Sequence, residues 1–257
     1  MLKATQRKAW SHDETVVALG LYFQVTFSCT NMNHPEIVRV SKILGRTPSA
    51  VAMKVVNFAR FDPTLRVEGI SGLAHGAKME AEVWNAYAGK MDELSYEYNR
   101  LLNGKAVPSE NEVDEMPIPA GLEGIGIVKY RVNQSFFRRA VLSAYADTCC
   151  ITGIDDVRLL TASHIKPWTS CVTGDEKTTP ANGLCLNALH DRAFDRGLIT
   201  VDTSLHLMLS KSLKDVLSSA IYNDFFLRYE GKVISLPQHH LPKKGFLEYH
   251  NEKVFIQ

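Results

Sequence analysis

Residues 105–120, KAVPSENEVDEMPIPA, limit the possible folds of this chain more than any other stretch. Three prolines remove backbone donors and fix φ, the acids Glu110, Glu112, Asp114 and Glu115 repel one another, and little apolar surface is left to pack. The stretch reads as a linker. It divides the 257 residues into modules 1–104 and 121–257, each inside the range of about 50 to 200 residues that one core supports. The division also changes the meaning of the charge. The chain has 29 Lys and Arg against 28 Asp and Glu, a formal +1. The linker holds one basic and four acidic residues, so residues 1–104 (12 against 10) and 121–257 (16 against 14) are each mildly basic. Bulk attraction to nucleic acid is excluded, and local contacts are not. With 45% hydrophobic and 22% charged residues, disordered, collagen-like and disulfide-dense classes are excluded as well.

No apolar run reaches the roughly 18 to 20 residues of a bilayer span, and the start, MLKATQRKAWSHDE, has no apolar stretch behind its basic residues. The expected location is the cytoplasm. The five cysteines agree, because Cys149 and Cys150 are adjacent, Cys29, Cys171 and Cys185 stand alone, and no CxxC pair marks a zinc knuckle.

In the first module, Ser11 and Glu14 have capping-box spacing before Val16, Val17, Leu19, Leu21, Tyr22 and Phe23, which predicts a helix. Pro35 opens a second that stops at Gly45, and Thr47-Pro48 opens a third running to about Arg60. The third places Val51, Val55 and Phe58 on one face and Lys54, Asn57 and Arg60 on or near the other, beside Arg46. Two short helices around a glycine turn make a helix-turn-helix shape, whose functional reading puts Lys54, Asn57 and Arg60 on DNA. A small bundle with a solvated polar face has the same pattern. One further helix is expected from Ala77 to about Leu102.

The second module opens with KYRVNQSFFRR, residues 129–139, with four basic residues, no acid, and an apolar face from Phe136, Phe137, Val141, Leu142 and Tyr145. A strand-like run, Leu159 to Ser163, ends at His164. Asn182-Gly183-Leu184 follows after a polar loop, and then His190 with Phe194 and Asp195 behind it. A hairpin is predicted at Leu198–Leu209, an amphipathic helix at Leu213–Tyr229 and a short strand at Lys232–Leu236. His239 and His240, in the Pro-flanked QHHLPKK, read as a surface loop.

His164, Asn182 and His190, with their flanks, resemble the HNH endonucleases over roughly residues 129–203, and YHNEKVF resembles the ending of bacterial HNH restriction-type proteins. The resemblance implies an α+β chain: an all-α, helix-turn-helix-like domain at 1–104, the linker at 105–120, and a ββα-metal HNH domain with added helices and strands at 121–257. It implies metal-dependent hydrolysis of double-stranded DNA, of the kind used in restriction or phage defence. One ββα site cuts one strand, so a double-strand break calls for a homodimer.

Imidazole, with a pKa near 6.5, can take a proton from water at neutral pH, so His164 is the expected general base. His190 is the expected ligand of one divalent ion that offsets charge on the phosphate, with Mg²⁺ ahead of Mn²⁺, Ni²⁺ and Zn²⁺. Asn182 cannot titrate, but its amide can tie its loop to the strand end and fix the His164 ring. Arg131, Gln134, Arg138 and Arg139 have the side chains to hold phosphates and base edges. One departure stands out. Many members of the family carry Asp or His before the general base, whereas here that residue is Ser163, a poor ligand for a hard cation. The alternative it raises is a catalytically degenerate HNH-fold protein that binds DNA or regulates.

Overall fold

The computed structural model describes residues 9–63, 65, 78–103, 125–216 and 219–257. The linker expected at 105–120 lies outside the described residues. α1 (His12–Gln24) starts as predicted, with the Ser11 side chain accepting from the Glu14 N–H at 3.2 Å and the Glu14 carboxylate accepting from the Ser11 N–H at 2.8 Å. α2 (Pro35–Leu44) ends at Gly45, whose φ of 62° is the left-handed cap that glycine adopts without penalty. α3 (Pro48–Val56) tightens into a 3₁₀ turn over Asn57–Phe61.

The single helix expected from Ala77 is instead two, α4 (Lys78–Tyr87) and α5 (Met91–Asn103). They break at Ala88-Gly89, and the Asp175 carboxylate takes the Met91 N–H at 3.1 Å across the chain. A favourable partner for the new helix end offsets the lost helical bonds. Val16, Leu19, Phe23, Ile37, Val51, Phe58, Leu94 and Tyr98 fill the first core.

α6 (Ile125–Ala144) serves both halves. Phe136 and Ala140, one turn apart, complete the first core, while Phe137 and Val141 belong to a second with Leu160, Leu184, Leu186, Phe194, Val201 and Leu247. The sequence division assigned this helix wholly to the C-terminal module, yet it packs on α1 and α5 as well as on the strands that follow.

Those strands, β1 (Leu160–His164) and β2 (Gly183–Asn187), are antiparallel, with His164 opposite Gly183 and Leu160 opposite Asn187. The short α7 (Gly174–Thr178) lies in the loop between them, and α8 (Ala188–Asp195) follows β2 directly and packs on both strands. Gly183 is required here, since a Cβ would lie 2.3 Å from Val141 Cγ2 and 3.0 Å from the Phe137 ring, and α6 could not rest on β2.

The hairpin expected at Leu198–Leu209 is present as β3 (Ile199–Val201) and β4 (Leu207–Leu209). The helix expected at Leu213–Tyr229 is described as α9 (Lys211–Val216), α10 (Ser219–Phe225) and a 3₁₀ turn at Leu227–Tyr229. The strand expected at Lys232–Leu236 reduces to one bridge between Val233 and His206. α11 (Lys244–Lys253) closes the second core. All five cysteines are free thiols, and among the described residues no helix is long and apolar enough to cross a membrane.

Candidate functional site

His164 sits at the last position of β1. Its ring stacks on Phe137 with centroids 3.8 Å apart and meets the edge of Trp168 at 5.6 Å. Nε2 lies 3.0 Å from the Lys177 carbonyl oxygen. A carbonyl can only accept, so Nε2 carries the proton and Nδ1 keeps the lone pair of the neutral ring. Burial disfavours the imidazolium and pushes the pKa down to about 4, with the Lys177 hydrogen bond opposing the shift. This is the tautomer and charge state of a proton acceptor.

Asn182 is fully buried at the turn into β2. Its Oδ1 accepts from the Lys166 N–H at 2.8 Å, and its Nδ2 donates to the Glu176 and Lys166 carbonyls at 2.8 and 3.1 Å. The Ile165 N–H donates in turn to the Asn182 carbonyl at 2.9 Å. The side-chain amide and main-chain carbonyl of this one asparagine therefore tie the two residues after His164 to the residue before Lys177, whose carbonyl holds the His164 ring. Lys166 and Glu176 close the same loop with a 2.9 Å ion pair, and this hydrogen bond is the main reason that the Glu176 carboxyl is held below its ordinary pKa. Asn182→Ala is expected to cost about 1–3 kcal/mol, because buried backbone groups lose their partners, and to loosen the His164 ring. Urea denaturation checks the first effect, and the His164 ring proton shifts check the second.

His190 departs from its expected role. Asn187 caps α8, accepting from the Leu189 and His190 N–H groups, and its amide also contacts His190 Nδ1 at 2.9 Å. His190 Nε2 lies 2.9 Å from the Phe225 carbonyl oxygen, beneath Phe226 and Tyr229. Both ring nitrogens are thus occupied in a buried pocket, so His190 does not present a ligand atom. Ser163 Oγ, where the resemblance expects an acidic or histidine ligand, is buried without a hydrogen-bond partner among the described residues. Among the described residues, no three metal-capable side chains of residues 149–202 lie together. The donor set around His190 does not fit the divalent ion that the resemblance implies.

The expected DNA-contacting residues also divide. Lys54 and Asn57 are buried, against the solvent-facing position expected for them, and with Arg60 they converge on Glu80. Arg46 is likewise engaged, pairing with Glu14 at 2.7 Å and lying over the Trp10 ring. For Lys54, Asn57 and Arg60 the cause is the Glu80 carboxylate, twenty or more residues away, which no local pattern reveals. Arg138 donates to the Leu160 and Val157 carbonyls at 2.8 and 3.3 Å, bracing the start of β1. Arg139 reaches the Ser135 hydroxyl at 3.2 Å, Gln134 is half-buried, and the Arg131 side chain lies outside the described residues.

Three further participants escaped the sequence reading: Phe137 and Trp168, which frame His164, and Asn187. The capping residue Asn187 had a legible signal, an Asn directly before a helical Ala-Leu-His.

Residues 149–202 match the model of a family described as HNH endonuclease. The matched segment contains His164, Asn182 and His190 with β1, β2 and α8. No curated protein matches the chain.

Proposed function

We propose that the chain is a DNA endonuclease in which His164 takes the proton from the water that attacks a phosphodiester. The HNH match supports the reaction class. The observation that carries the residue assignment is the Nε2 contact to the Lys177 carbonyl, which leaves Nδ1 as the basic nitrogen. A base with a pKa of about 4 is weak, and an approaching phosphate would raise it by stabilising the imidazolium. Asn182 holds both the ring-bearing strand end and the carbonyl that orients the ring. Duplex contact is assigned to Arg131, Gln134 and Arg139 along α6, and a setting in restriction or phage defence suits a cutting module joined to a helical one.

No step is assigned to a cation. The occupied nitrogens of His190 and the Ser163 hydroxyl favour a second reading, an HNH-fold protein that binds DNA without cutting it. Incubating the protein with supercoiled plasmid in EDTA, Mg²⁺, Mn²⁺, Ni²⁺ or Zn²⁺ separates the two. Nicking supports the endonuclease, and nicking only with an added ion would mean that the reaction requires that ion. A gel shift without nicking under every condition supports the second reading. Parallel digestion of methylated, unmethylated and phage DNA tests the biological setting.

A further inference from the structure

The residues read from sequence as a surface loop are not on the surface. His239 is fully buried and His240 largely so, packed against the helical core. Both ring nitrogens of His239 and Nε2 of His240 have no hydrogen-bond partner among the described residues. Buried polar nitrogens without partners are rare in folded proteins, because each has given up its water for nothing. What they face is Asp62, just beyond the 3₁₀ turn that ends the third helical segment. His240 Nε2 lies 3.9 Å from Asp62 Oδ2, and one ligand atom from each of the three residues falls within 4.8 Å of the others.

The surroundings hold this arrangement in place. The Tyr22 hydroxyl donates to Asp62 Oδ2 at 2.7 Å, as partners of metal-bound carboxylates do. Phe23 stacks on the His240 ring at 4.8 Å, and Tyr22 lies 5.8 Å from the His239 ring. His240 has a φ of +59°, a conformation that a side chain with a Cβ rarely adopts. It turns two consecutive rings toward one point, with centroids 4.5 Å apart and planes at 80°. A neutral imidazole has one lone pair to give, and the two rings bring two of them beside one carboxylate.

We propose that Asp62, His239 and His240 bind one divalent transition-metal ion of the zinc type. Two imidazoles and a carboxylate are the donors such an ion takes, whereas Mg²⁺ and Ca²⁺ are held by oxygen. The ion would fasten the C-terminal loop to the helical core. The same loop reaches the HNH segment, since the Lys243 N–H donates to the Ala181 carbonyl at 3.0 Å, beside Asn182, and the Gln238 N–H donates to the Ala144 carbonyl at 2.7 Å, at the end of α6. Metal occupancy would therefore brace the turn that positions His164. This assignment does not depend on the endonuclease reading.

The test is metal analysis of the purified full-length protein, followed by Co²⁺ titration of the EDTA-treated protein, read by visible absorption and thermal melting. About one equivalent of Zn²⁺ or Co²⁺ is expected, with a higher melting temperature on binding. Asp62→Asn and His239→Gln should weaken Co²⁺ binding at least tenfold, while the double variant His164→Ala/His190→Ala should keep it. A wild-type protein that binds neither ion, and whose buried histidines are satisfied by water alone, overturns the proposal. So does wild-type affinity in a folded Asp62→Asn protein. If the cluster variants fail to fold, the double variant decides: an equivalent retained supports the site, and an equivalent lost places the ion in the HNH segment.

Discussion

Replacing His164 by alanine is expected to lower plasmid cleavage at pH 7 by about 10²–10⁴-fold, the contribution of a positioned general base, with the far-UV spectrum and DNA binding unchanged. The ring lies at the end of β1 with one nitrogen on the Lys177 carbonyl, so removing it takes away the proton acceptor and leaves the strand pairing intact. Its acidic shift gives the expectation a second signature. Because burial holds the pKa to about 4, the free protein keeps the basic form well below the ordinary histidine range. The acid limb of kcat/KM should therefore fall near pH 4 to 5 and not near 6.5. Stability runs in the same direction. A histidine that titrates near 6.5 when unfolded and near 4 when folded binds protons first in the unfolded state, so stability is full above pH 6.5 and is lost as pH falls toward 4. His164 and His250 both contribute, the latter stacked on Phe194 at 3.7 Å. Melting curves between pH 7 and 4.5 should show this loss, and His164→Ala should flatten part of it. Wild-type cutting by His164→Ala would remove His164 from the chemistry.

The parts of this molecule that were legible in sequence depend on short-range chemistry. The Ser11 capping box, the Gly45 stop, the strand that ends at His164 and the β3–β4 hairpin each follow from residues a few positions apart. Asn182 is singled out by its spacing between His164 and His190 and by the resemblance those residues carry, not by the turn it occupies. Failures arose wherever a distant partner decided the outcome. Lys54 and Asn57 occupy helix positions that look solvated, and only Glu80 explains why they are buried. His239 and His240 have loop composition, and only Tyr22, Phe23 and Asp62 make them interior. The nitrogens of His190 are taken by Asn187 and by a carbonyl from α10, thirty-five residues on. Periodicity shows which face of a helix is apolar, but it cannot show that a polar face has found a buried countercharge.

The Glu80 cluster allows the largest stability effect to be stated with its sign. Glu80→Ala is expected to destabilise the chain by about 3–5 kcal/mol, the range for breaking a buried ion pair by removing one partner. The carboxylate is 1% exposed and receives Arg60 Nη2 at 2.8 Å, Asn57 Nδ2 at 3.3 Å and the Lys54 ammonium. Without it, the buried Lys54 ammonium loses its countercharge and keeps the face of Trp10 at 5.0 Å. Lys54→Met should cost less, because Arg60 remains to neutralise Glu80. The double variant Lys54→Met/Glu80→Gln should recover part of the loss, since the buried ammonium goes together with its carboxylate partner, while the partly exposed Arg60 guanidinium still loses its countercharge. Urea midpoints of the wild type, Lys54→Met, Glu80→Gln and the double variant give this coupling directly. The same variants decide what the cluster is for. If Lys54 and Arg60 brace α3 against α4, Lys54→Met binds DNA like the wild type at equal salt. A markedly shallower salt dependence of DNA binding in Lys54→Met would mean instead that the ammonium leaves Glu80 for a phosphate.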